Sequence, residues 1–208
     1  MLFSGLGRVI DRVNAGIDLS CCGVPFLYLF LRCEKKSRVL TIKMRDMRTL
    51  DYLGLDEKKV QRVVEGLSVL LADLQVFYSN LRGFHWNVTG PQFFILHAKY
   101  EELYNDIANK VDEVAERILQ LGGVPESRYS VYLQVSEVGE EALSGDAREA
   151  LLQLLNSYKT LIACERGIVE AASEAGDEST VALVSDFLKQ QEKTVWMLVA
   201  LSDSHAGK

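Results

Sequence analysis

Residues 56–86 read DEKKVQRVVEGLSVLLADLQVFYSNLRGFHW. Within them Val60, Val63, Val64, Leu67, Leu70, Leu71, Leu74, Phe77, Tyr78 and Leu81 recur at i, i+3, i+4, i+7, the period of one buried helical face. Asp56, just ahead of Glu57-Lys58-Lys59, suits a helix N-cap, where a carboxylate accepts a first-turn amide that has no partner within the helix. The stretch therefore predicts a long first helix that ends near Trp86 and is broken by Thr89-Gly90-Pro91. Working outward, a second helix is expected from about Gln92 to Leu121, stopped by Gly122-Gly123 with Pro125 beyond. Residues 126–143 are less regular, carry Tyr129 and Tyr132, and predict a short helix inside a crossover. A third helix is expected from near Asp146 to just before Gly176; Asp177 or Ser179 then caps a fourth that reaches about Ser202. Four long helices with one long connection in the middle describe an all-α four-helix bundle.

The bulk properties agree. The chain has 208 residues, 48% apolar and 25% charged, with three prolines, ordinary values for one helix-rich globular domain. Of four cysteines, Cys21, Cys22 and Cys33 sit near the start and only Cys164 lies in the body. That is no disulfide framework, so a reducing, cytoplasmic setting is expected. Cys164 reads as core packing and His205 as a solvated residue of the polar C-terminus.

Charge divides the chain. Residues 1–48 carry nine Lys or Arg against four acids, a net of +5, and the rest carries a net of −11. A body that acidic attracts cations and repels phosphates. Residues 1–46 lack helical or strand periodicity, and the apolar run Val24–Leu31 is too short to span a bilayer, which needs about 20 residues. It also makes a poor signal peptide, because charge follows it where small residues are required. We expect 1–46 to be an irregular extension outside the fold, with Met44 or Met47 as a start, and 47–208 to be the bundle. The basic residues 35–48 read alternatively as a nucleic-acid arm.

Chemistry is concentrated around His85 and His97. His97 and Glu101 are i, i+4 on the second helix, and Asp112 and Glu116 form another such pair. The two pairs lie about 60° apart around the helix and about 22 Å apart along it, so one metal cannot draw on both. Two copies packed antiparallel about a dyad near residues 106–107 would resolve this. His97 would then lie beside Glu116 of the partner subunit, and Glu101 beside Asp112 of the partner subunit. A solvated charged face with one incidental histidine would show the same spacing. Two imidazoles and three carboxylates without thiolate suit iron or manganese, and also zinc. No Glu-x-x-His occurs, which argues against the within-bundle di-iron site of ordinary ferritins.

The run His85-Trp86-Asn87-Val88-Thr89-Gly90-Pro91-Gln92-Phe93-Phe94-Ile95-Leu96-His97, then Tyr100-Glu101-Glu102-Leu103-Tyr104, then Asp112-Glu113-Val114-Ala115-Glu116-Arg117-Ile118 resembles the signature of the Dps proteins, the small-cage branch of the ferritin superfamily. The stretches Ala175–Glu178 and Val195–Leu198 resemble their last helix, and the likeness covers about residues 47–203. The resemblance implies a ferritin-like bundle assembled as a hollow dodecamer. It also implies a ferroxidase centre at each two-fold interface that takes Fe(II), usually with hydrogen peroxide as oxidant, and ferric mineral stored in the cavity. By position it assigns His85, His97 and Glu101 of one subunit, with Asp112 and Glu116 of the other, as iron ligands in a di-iron or mono-iron centre. Glu101 stands where many members carry Asp. Trp86 reads either as an interceptor of oxidising equivalents or as interface packing. Asp177, Glu178 and Asp186 are candidates for an acidic iron-entry pore, although carboxylates at a helix start also serve as caps. DNA binding is not expected unless the basic extension is expressed, and no membrane association is expected.

Overall fold

The computed structural model describes residues 48–142 and 147–203. The expectation for residues 1–46 and the reading of His205 lie outside them. Six helices make up the described part: α1 (Arg48–Leu53), α2 (Glu57–Asn87), α3 (Phe93–Gln120), α4 (Tyr129–Val135), α5 (Ala147–Ala175) and α6 (Glu178–Asp203). Four are long and α4 lies in the crossover, so the all-α four-helix architecture holds. None of the described helices is long and apolar enough to cross a membrane.

Several boundaries have a local cause. The Asp56 side chain accepts from the Lys59 amide at 3.1 Å, which starts α2. Between α2 and α3 the chain reverses at Gly90, whose φ of +95° favours a residue without Cβ. Gly176, at φ +70°, ends α5 in the same way and leaves Asp177 free to start α6. Helix α1 was not foreseen. It has only six residues, too few for a period to emerge, yet it buries Leu50 and stops at Gly54, another positive-φ glycine.

The core is one cluster running through all four long helices. Phe77 of α2 meets Tyr158 of α5 edge-on at 5.1 Å, while Gly66 lies under Ile168 and its carbonyl against Cys164 at 4.0 Å. Later residues of α5 thus pair with earlier ones of α2, which makes the two helices antiparallel. A Cβ on Gly66 would lie 2.8 Å from the Ile168 side chain, so the glycine sets how closely α2 and α5 approach. Cys164 is half-buried packing at this contact. The crossover is held to α2 by Asp73, whose Oδ1 accepts from Ser136 Oγ at 2.8 Å, Glu137 N at 2.6 Å and Val138 N at 3.2 Å. Asn80 adds bonds to the Gly139 carbonyl and from the Glu141 amide. Burial pushes the Asp73 carboxyl up to about 6, against the lowering effect of those donors.

Candidate metal centre

The α2–α3 turn brings His85 and His97 face to face. Their ring centroids are 3.7 Å apart with planes 22° from parallel. Each Nδ1 lies 2.9 Å from the backbone carbonyl of the other histidine. A carbonyl oxygen can only accept, so each Nδ1 must carry the proton and donate. The remaining lone pair on each ring is then on Nε2. This is how metal-binding imidazoles are usually prepared, with one nitrogen tied to a carbonyl and the other left basic. Phe93 stacks on the outer face of His97 at 5.0 Å, and Tyr104 meets His85 edge-on at 5.4 Å. Both rings are therefore fixed on two sides and half-exposed on a third. Burial, and then the neighbouring Glu101 carboxylate, hold the Tyr104 hydroxyl above its ordinary value.

The other candidates stand apart. Glu101, Asp112 and Glu116 are exposed on α3. Glu116 lines an open groove between α3 and α6 with Glu113, Arg117, Gln120, Ser179 and Leu183. Among the described residues, no three His, Cys, Asp or Glu side chains of one chain come together closely enough to hold a metal ion. The structure thus pairs His85 with His97 and does not bring the five candidates to one point. Around the pair the surface is apolar: Trp86, with Arg82 stacked 4.7 Å from its ring, is 64% exposed, Phe94 84% and Ile95 73%.

The three acids named for an entry pore differ in their surroundings. Glu178 and Asp186 are exposed, but Asp177 is buried and turned inward. It accepts from Arg117 Nη2 at 2.5 Å, from the Thr180 amide at 3.0 Å and from Thr180 Oγ1 at 2.5 Å. Arg117 in turn donates to Thr180 Oγ1 and Gln120 Oε1, both at 2.8 Å. Asp177 is thus the cap of α6 and, within one chain, the counter-ion of a buried arginine. The sequence did contain a signal for this. Leu103, Ile107, Lys110, Val114, Arg117 and Leu121 form one periodic stripe. Two cations on a stripe of core residues require buried partners.

Comparison with known proteins agrees with this architecture. The Ferritin family (ferritin-like domain) matches residues 64–204. A DNA protection during starvation protein of Porphyromonas gingivalis is 57% identical over 153 residues, which is 74% of this chain and 96% of that protein. The crystal structure of a Dps protein from Vibrio cholerae O1, described as a member of a broad superfamily of ferritin-like diiron-carboxylate proteins, superposes with a TM-score of 0.71. It is 43% identical, and the match covers 76% of this chain and 97% of that one. Dps from Staphylococcus aureus gives a TM-score of 0.66 at 35% identity, covering 68% and 95%. With this helical order and this likeness across the whole bundle, the chain belongs to the Dps family of ferritin-like proteins.

Proposed function

We propose that this chain sequesters iron by oxidising Fe(II) at sites shared between two copies of itself. The observation that carries the reading is the reciprocal His85–His97 lock, which leaves the Nε2 lone pair of each half-exposed ring without a use inside the lock. On this reading one chain supplies half the ligand set, and the carboxylates with the right spacing lie further along α3 from His97, Asp112 by about 22 Å and Glu116 by about 28 Å. A two-fold partner would bring them into reach, with Glu101 beside Asp112 of the partner subunit. It would also cover Trp86, Phe94 and Ile95, which a solitary chain leaves in water.

Each Fe(II) substrate would bind imidazole and carboxylate together. The carboxylates favour Fe(III) over Fe(II), which eases electron loss. Two Fe(II) give one electron each to one hydrogen peroxide, its O–O bond breaks, and two protons complete two waters. A pair of irons supplying both electrons leaves no hydroxyl radical. The product would be stored as ferric mineral in a hollow dodecamer in the cytoplasm, limiting oxidative damage. Asp177, Glu178 and Asp186 remain the candidates for iron entry, 47–208 the folded unit and 1–46 an extension. DNA is not an expected partner of the acidic body.

The test is an anaerobic Fe(II) titration of the full chain followed by a peroxide pulse. Saturable Fe(II) binding and peroxide-dependent oxidation are expected, both abolished in His97→Ala. Equal oxidation by that variant would overturn the reading.

A further inference from the structure

Helices α5 and α6 carry two polar side chains at core positions. Glu165 lies on the stripe Leu154, Tyr158, Leu161, Ile168 and Ala172, and Gln191 follows Val184 and Phe187. Glu165 is 0% exposed and Gln191 1%. Gln191 Nε2 donates to Glu165 Oε1 at 2.5 Å. Glu165 Oε2 and Gln191 Oε1 are then left buried, each without a hydrogen-bond partner.

If Glu165 is ionised, both leftover atoms are acceptors and neither can satisfy the other. One proton resolves both. Placed on Oε2, it lets the acid donate to Gln191 Oε1 while the amide donates to Glu165 Oε1. Acid and amide then close a ring in which each group donates once and accepts once.

The surroundings leave Glu165 without a counter-ion. Lys110 of α3 is the nearby cation, but its Nζ donates to both carboxylate oxygens of Asp106 at 2.5 Å and to Gln190 Oε1 at 2.8 Å. Asp106 and Glu102 of α3 bear on Tyr158, which burial already pushes up. Arg166 pairs outward with Glu192 of α6 at 3.0 Å. On α2 the buried acid is Asp73, occupied by Ser136, Glu137 and Val138. Desolvation therefore dominates and pushes the Glu165 carboxyl up to about 8, although Gln191 and Lys110 pull it down.

We propose that Glu165 and Gln191 form a proton-binding site in the bundle interior, a neutral acid–amide pair at the level where Lys110 supplies the local positive charge. Di-iron members of the ferritin-like superfamily place glutamates and Glu-x-x-His pairs in their bundle cores. Here one acid and one amide, with the Lys110 ammonium near but bonded to Asp106 and Gln190, offer too few ligands for a divalent cation and retain a proton. The inference does not depend on the interface reading. Its thermodynamic sign is fixed. Unfolded Glu ionises near 4.5, while the folded group holds its proton to about 8. The folded state therefore binds more protons across that window, stability falls as pH rises through it, and the fall stops above it.

Glu165→Gln keeps both hydrogen bonds, as an amide–amide pair, and removes the titration. In the full chain at fixed concentration, the urea midpoint of wild type should fall relative to this variant as pH rises to 8, then run parallel. In wild type labelled with ¹³C-glutamate, infrared spectra should show a buried protonated-carboxyl stretch at about pH 6 that is gone by about pH 10. This readout needs no variant to fold. Absence of that band at the lower pH, or parallel midpoints throughout, would overturn the proposal. So would an Mn(II)-induced rise in midpoint that wild type shows and Glu165→Gln lacks.

Discussion

The two ends of α3 treat polar groups in opposite ways. At the C-terminal end Arg117 spends its donors on Thr180, Gln120 and Asp177, and both carboxylate oxygens of Asp177 are engaged. At the N-terminal end His97 and its neighbour His85 each satisfy one ring nitrogen and leave the other available. One end is closed within the chain, the other left open on one side. Pairing completed inside the chain makes structure, and coordinating capacity left over at a surface is what a ligand can use.

That contrast breaks most easily at the closed end. Arg117→Ala would strand the buried Asp177 carboxylate, and we expect about 3–5 kcal/mol of destabilisation in urea unfolding. His97→Ala, by comparison, should cost less than about 1 kcal/mol of unfolding free energy, since it removes a half-exposed ring. Comparable losses from the two variants would erase the distinction.

The crossover sharpens the same point through pH. Asp73 ionises near 3.8 when unfolded and near 6 when folded, so the folded state binds more protons between these values. Stability should fall by about 2–3 kcal/mol as pH rises through that window and stay level above it, as far as this group is concerned. The Asp73 share of the slope is the difference between wild type and Asp73→Asn in urea unfolding across that window, since the variant lacks this titration.

The open end is tested by mixing. Co-assembled His97→Ala and Asp112→Ala subunits place both lesions in one site of a mixed dimer and neither in the other. With random pairing, about a quarter of wild-type peroxide-dependent oxidation should return, by two-fold symmetry. Mixed cages confirmed by mass but no more active than either parent would mean the sites are not shared.

The smallest effect is expected at the surface. Arg166→Ala removes a pair whose side chains are 66% and 54% exposed, and should cost less than about 1 kcal/mol. A larger loss would show that exposure does not separate the two kinds of pairing.

Most of the fold was legible because the apolar period is long and its stops are chemically blunt. Gly122-Gly123, Gly176 and the Asp56 cap mark ends that the structure reproduces within a residue or two. The six-residue α1 was not legible, since it is shorter than two turns. In the candidate centre, spacing indicated that His85 and His97 belong together. The exchange of Nδ1 bonds with backbone carbonyls was hidden, because it depends on how sharply the chain turns at Gly90. The buried partner of Asp177 was hidden for a related reason. An acid at a helix start looks the same in sequence whether it faces solvent or a buried arginine, and only the periodic position of Arg117 separates the two.

The histidine lock also has a consequence in time. His85 and His97 are 12 residues apart, whereas Arg117 reaches 60 residues to Asp177. Contacts across about ten residues of flexible chain close in about 10–100 ns, and closure becomes entropically costlier with length. We therefore expect the ligand half-site to form early, within the α2–α3 hairpin, and the buried ion pair only when α6 docks. Pulsed hydrogen exchange during refolding should protect the first turns of α3 before those of α6; the reverse order would refute this sequence of events. A chain leaving the ribosome would then hold its pair of imidazoles in place before it has a finished bundle, and long before a second copy could complete the site proposed above.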